Sequence, residues 1–140
     1  MRDLLEMSAV ECEERLRAGK VGRMAVSTPT GPHIVPLNYV VVDDAHGPMV
    51  VVRTAAYSLL GTYGTGSMLA FQIDEIEAES EQGWSVEVRG RGEIAYTLRD
   101  TGLLRAGHTP EPWAAGHRSM FLKLRWTEIS GRRLRESDTL

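Results

Sequence analysis

His33-Ile-Val-Pro-Leu-Asn-Tyr-Val-Val41 is the stretch on which the fold turns. Val35, Leu37, Tyr39 and Val41 recur at every second position, the spacing that puts side chains on one face of a strand. The other face runs Ile34, Pro36, Asn38, Val40. Proline brings no N–H to a ladder and asparagine wants hydrogen bonds, so this strand belongs at an edge, at a bulge, or beside something that is not a strand.

Turn chemistry brackets the stretch, with Thr30-Gly-Pro32 before it and Asp43-Asp-Ala-His-Gly47 after it. Period-two patterning predicts further strands over residues 21–28, 49–54, 67–74, 84–97 and 119–129, with a bend or bulge at Arg89-Gly-Arg-Gly92. Ser8-Ala-Val-Glu11 reads as a capping box opening a short helix that ends at Gly19. Residues 55–63 read as a short helix or loop, 98–106 as a small helix, 110–116 as a loop, and 132–140 as a strand end running into a polar tail. Six short-spaced strands with short flanking helices predict a mainly β, antiparallel barrel in one domain, residues 1–140.

Composition narrows the function classes. With 140 residues, 42% hydrophobic and 25% charged, the chain is long enough for one core and is neither disordered nor fibrous. A net charge of −3 argues against a nucleic-acid groove or a polybasic membrane patch. No segment has the apolar length of a signal peptide or a membrane span, so the expected location is cytoplasmic. Cys12 is the only cysteine, which excludes an intrachain disulfide and predicts a small core residue. Lys20 and Lys123 are the only lysines among many arginines, a usage expected of a GC-rich bacterial genome.

Several chemistries are excluded by their motifs. Gly61-Thr-Tyr-Gly-Thr-Gly66 lacks the Gly-Lys-Ser/Thr of a phosphate loop, and no βαβ unit surrounds it. His33, His46, His108 and His117 lack metal-ligand spacing, and no Gly-x-Ser-x-Gly elbow is present. Three segments remain. The first is the opening strand with Pro36. In Val52-Arg-Thr-Ala-Ala-Tyr-Ser58, a guanidinium and two hydroxyls at a strand-to-helix junction are the components of an anion pocket. Gly83-Trp-Ser-Val86 puts an aromatic and a hydroxyl at the head of the longest strand. Each is open equally to a structural reading, as edge strand, solvated helix start or strand-end aromatic.

In order and spacing, these segments resemble the pyridoxamine 5′-phosphate oxidase-like superfamily of flavin-binding split barrels, and the small nitroimidazole-resistance-like bacterial branch most of all. Val21-Gly-Arg-Met-Ala-Val26, Gly31 to Tyr39, Val52-Arg-Thr54, Gly83 to Gly90 and Thr127 to Arg133 carry the resemblance. It implies a six-stranded split barrel, a homodimer, and flavin mononucleotide (FMN) as cofactor. The cofactor-binding residues it implies are Pro36, Leu37, Asn38 and Tyr39, then Val52, Arg53, Thr54 and Ser58, then Trp84 and Ser85, with Trp113 and Arg118 in a segment reaching across the dimer. Asn38 stands where the oxidases have a phosphate-binding lysine, and Leu59 and Leu60 stand where they have two cations. Arg53 is the expected substitute. The implied activity is hydride transfer from a nicotinamide to a small organic molecule. A deazaflavin-dependent reductase and a flavin- or haem-binding protein without turnover are the alternatives; vitamin B6 oxidation is disfavoured because only Arg132-Arg133 offers cations near the C-terminus.

Overall fold

The computed structural model describes residues 2–95 and 120–136. In chain order the elements are β1 (Arg2–Glu6), α1 (Ala9–Ala18), β2 (Val21–Thr28), β3 (Gly31–Asn38), β4 (Val40–Asp44), β5 (Gly47–Thr54), α2 (Leu59–Tyr63), β6 (Met68–Glu77), β7 (Gln82–Ala95) and β8 (Met120–Glu136). All strands pair antiparallel, in the order β3-β2-β6-β7-β8-β5-β4, with β1 added to the far end of β8. The sheet curls but its end strands do not pair with each other, so the barrel is split, as expected. Eight strands stand in place of six. β1 was not foreseen, and the opening stretch is divided at Tyr39 into β3 and β4. The expected helix 98–106 and loop 110–116 lie outside the described residues.

The division at Tyr39 makes the split. Up to Asn38 the chain pairs with β2, and from Val40 it pairs with β5. One bent strand therefore joins the two ends of the sheet. Tyr39 is 3% exposed, donates its hydroxyl to the carbonyl of Leu16 at 2.5 Å, and packs edge-on against Phe71. Burial raises the pKa of its phenol, which stays protonated as a donor.

Inward residues build the main core: Met24 and Val26 of β2, Val50 and Val52 of β5, Leu69, Phe71 and Ile73 of β6, Val86 and Val88 of β7, and Leu122 and Leu124 of β8. The predicted bulge is present, since Arg89 faces Glu128 while Gly90 faces Trp126, leaving Thr127 as the extra residue on β8. Gly90 is required there: a Cβ would stand 2.2 Å from the carbonyl oxygen of Arg125. Val42, Met49, Val51, Ala95 and Phe121 form a second, smaller cluster on the other face of the sheet.

α1 closes the end of the barrel away from α2. The Ser8 side chain accepts from the N–H of Glu11 at 3.1 Å, as the capping box predicts. The Glu11 carboxylate does not reach back but takes both of its bonds from the Arg133 guanidinium. Cys12 and Leu16, one turn apart, point into the core, and burial raises the Cys12 thiol's pKa. Arg17 holds Asp43 through two bonds of 2.8 and 2.7 Å. At the other end Leu60 of α2 is buried, and the loop after α2 docks on Gly92, where Gly66 N–H meets the Gly92 carbonyl at 2.8 Å. The Gly61–Gly66 segment is therefore structural.

Candidate functional site

Strand alternation sorts the expected site residues into two sets. Pairing places Asn38 beside Val21, Pro36 beside Arg23 and Ile34 beside Ala25, and all of these side chains are on the outer face. Pro32, Ile34 and Pro36 are exposed there. On this stretch β3 pairs with β2 alone, so Pro36 occupies an edge strand that tolerates a missing N–H. Leu37 and Tyr39 point the other way, into the core.

β5 divides in the same manner. Val52 is fully buried and Thr54 is 1% exposed, both inward. Arg53 lies between them on the outer face, its guanidinium 5.7 Å from the ring centre of Phe121 on β8. Val40 faces Val51 across β4 and β5. Asn38 on β3 and Arg53 on β5 both turn their side chains to the outer face, and the two strands approach each other near the bend. An amide and a guanidinium thus share the outer face on the two strands that flank the seam, and Pro36 is the next outward residue along β3.

The inward hydroxyls are committed to the fold. Ser58 donates to the carbonyl of Ala55 at 2.7 Å and accepts from the N–H of Gly61 at 3.0 Å. Its only proton is used, so Thr54, 2.5 Å away, must donate to it. The expected trio of Arg53, Thr54 and Ser58 does not converge on one anion. Its guanidinium faces outward and its two hydroxyls cap α2 from within.

Trp84 and Ser85 are likewise separated. Trp84 faces α1, with the Arg15 guanidinium 4.8 Å over its ring. Ser85 faces outward beside Asp74 and Arg132. It shares the outer face with Asn38 but lies three strands away, about 14 Å along the sheet at ~4.8 Å per strand. A groove of about 550 Å³ at that end is lined by Leu4, Ile76, Trp84, Ser85, Arg132 and Leu134, among others. Trp113 and Arg118 lie outside the described residues.

Tyr57 was missed. It is 99% exposed in the loop between Thr54 and Ser58, the most exposed large hydrophobic side chain among the described residues. A signal was available in the sequence, since an aromatic residue inside an expected anion loop has no core to join. Leu59, one residue beyond Ser58, is 37% exposed, whereas Leu60 is buried at 1% and its position is closed to a cation. No group of three or more His, Cys, Asp or Glu side chains able to hold a metal occurs among the described residues. Nor is any of their helices long and apolar enough to cross a membrane.

A search of curated proteins finds no match. Among solved structures, the chain is 26% identical to the FAD binding protein from Mycobacterium smegmatis, covering 94% of this chain and 98% of that one with a TM-score of 0.67. An FAD-binding protein from Mesorhizobium loti is also 26% identical, with coverage of 97% and 100% and a TM-score of 0.72. A candidate 5-nitroimidazole antibiotic resistance protein from Bacteroides thetaiotaomicron, 10% identical over 96% and 89% with a TM-score of 0.70, shares the fold. The family model for pyridoxamine 5′-phosphate oxidase matches residues 8–133. The split barrel, the order of its motifs and this match over most of its length agree: the chain belongs to the pyridoxamine 5′-phosphate oxidase family.

Proposed function

We propose that this chain binds a flavin nucleotide on the outer face of the β3–β5 seam and acts as a flavin-dependent oxidoreductase on a small organic molecule, with a nicotinamide as reductant. The observation that carries the reading is that Asn38 and Arg53 face outward on the two strands flanking the seam, with Pro36 exposed next to Asn38 on β3. These residues fit a planar, anionic ligand. Pro36 offers a flat apolar contact without an N–H, Asn38 offers its amide NH2 as a donor, and Arg53 offers its terminal guanidinium N–H groups to phosphate oxygens. Thr54 and Ser58 serve by shaping the loop, and Val52, Leu37 and Tyr39 by fixing the strands from within. A flavin supplies hydride chemistry that no side chain provides. The two FAD-binding relatives support a flavin as the ligand class.

A second copy of the chain belongs to this reading. The outer face of the sheet leaves Ile34 (70% exposed), Ile76 (71%) and Leu4 (62%) in water, together with Met68 and Leu134. Apolar side chains exposed on β1, β3, β6 and the far end of β8 suit another sheet better than a small ligand.

The test is reconstitution with FMN, FAD and a deazaflavin side by side, followed by anaerobic addition of a reduced nicotinamide. Flavin absorbance retained on the protein and bleached by the nicotinamide is the expected result. Preference for the deazaflavin, which the lack of a cation at the exposed Leu59 would favour, transfers the reading to that cofactor. Retained flavin with no turnover on any acceptor leaves a binding protein, and no retained cofactor overturns the reading.

A further inference from the structure

We infer that Phe121 is the positioning residue for Arg53: its ring holds the guanidinium in place for the phosphate of the bound nucleotide. The inference rests on the flavin reading above and deepens it. Phe121 on β8 and Arg53 on β5 stand directly opposite each other in the ladder, and Ala95 of β7 stands opposite Phe121 on its other side. Residues paired in this way share a face of the sheet, here the outer one. The Arg53 guanidinium carbon is 5.7 Å from the centre of the Phe121 ring, within the range in which a cation is attracted to an aromatic face. The ring is itself fixed. Phe121 is 8% exposed and packs in one cluster with Val42, Met49, Val51 and Ala95, all of them buried.

Holding a phosphate with an arginine has a cost that this arrangement lowers. A guanidinium on a flexible stem loses its rotamer freedom when it grips an anion, whereas one already resting on a fixed ring has lost that freedom on folding. Contact with a ring uses none of the N–H donors, so the terminal ones stay available for oxygens. The Nε atom is buried, which leaves those terminal groups as the donors for a ligand. The orientation of Arg53 matters because its surroundings bring little other positive charge. No side chain from Thr54 to Tyr63 is charged, and Lys123, diagonal to Arg53 on β8, is engaged with Glu93 at 3.6 Å. A leucine at position 121 would fill much of the same space without an electron-rich face. Phe121 acts through Arg53, not by touching the nucleotide.

The experiment is equilibrium titration of the whole chain with FMN and with riboflavin, which differ only in the phosphate, read by flavin fluorescence. Urea denaturation of each variant checks that it is folded. Phe121→Leu should weaken FMN binding about three- to tenfold and leave riboflavin unchanged, while Phe121→Tyr keeps the wild-type affinity for both. In an Arg53→Met background the same Phe121→Leu change should leave FMN affinity where it was, since the ring then has no guanidinium to hold. If Phe121→Leu does not fold, Phe121→Met carries the same test. Unchanged FMN affinity in Phe121→Leu, an equal loss of FMN and riboflavin, or a loss of FMN that persists without Arg53 overturns the inference and leaves the flavin reading standing. Binding of neither flavin by the wild type overturns both.

Discussion

The two sides of the β3–β5 seam use the same short stretches of sequence for different ends. Outward, Pro36 is exposed and Asn38 and Arg53 are half-buried, and these side chains suit a ligand. Inward, Leu37, Tyr39, Val52 and Thr54 are packed or hydrogen-bonded into the barrel and suit nothing else. Neighbours in sequence therefore have unrelated jobs, because a strand turns every second side chain to the opposite face. The contrast predicts that inward substitutions change stability at unchanged affinity, and that outward ones do the reverse.

The largest break in that contrast would come at Tyr39. Tyr39→Ala removes a ring that is 3% exposed, its contact with Phe71 and its bond to Leu16, and should cost about 3–5 kcal/mol in chemical denaturation. Tyr39→Phe keeps the ring and leaves the Leu16 carbonyl without its donor, for a loss of about 1–2 kcal/mol. If Tyr39→Ala unfolded at the wild-type denaturant midpoint, the inward set would not be structural.

A smaller effect sharpens the same line at Thr54. Thr54→Val removes the donor to Ser58 and should lower stability by about 1 kcal/mol, with flavin affinity per folded molecule unchanged. Weaker flavin binding in this variant, at wild-type stability, would move Thr54 to the ligand side of the division.

The smallest effect lies at the opposite end of the barrel and depends on pH. The Arg17 guanidinium holds the Asp43 carboxyl below its ordinary pKa, and Arg125 does the same for Asp44. A carboxylate whose pKa is depressed by folding stabilises the fold above its unfolded value of about 3.9, and that stabilisation is lost as pH falls through the lower, folded value. Stability should therefore fall below about pH 4, and Asp43→Asn should blunt that fall. The pair is exposed, so its share at neutral pH is at most about 1 kcal/mol. Thermal melts between pH 3 and 7 in the wild type and Asp43→Asn measure it, and parallel curves would remove Asp43 from the account.

Much of the fold could be read from the chain because its determinants are local. Met24 and Val26 of β2, the Gly31 and Gly47 turns, and the bulge at Gly90 all follow from residues within a few positions of one another. The inward face of the opening stretch was legible for the same reason. What could not be read depends on distant partners. Leu4 and Leu5 form a strand only because the far end of β8, some 130 residues later, pairs with them. The break at Tyr39 coincides with its hydrogen bonds to Leu16 and Lys20, 23 and 19 positions away. The anion pocket read into Arg53, Thr54 and Ser58 failed to gather because proximity along a strand is not proximity on a face. Tyr57 went unassigned because its exposure is a property of the folded loop, not of the residue.

The central claim is that ligand binding belongs to the outer side of the seam, and one paired titration tests it most directly. FAD is titrated into Arg53→Met and Thr54→Val under the same conditions as the wild type. A charge-assisted bond to a phosphate is worth about 1.5–3 kcal/mol, so Arg53→Met should bind about 10- to 100-fold more weakly, with Thr54→Val at the wild-type value. Unchanged affinity in Arg53→Met together with a loss in Thr54→Val would contradict the account.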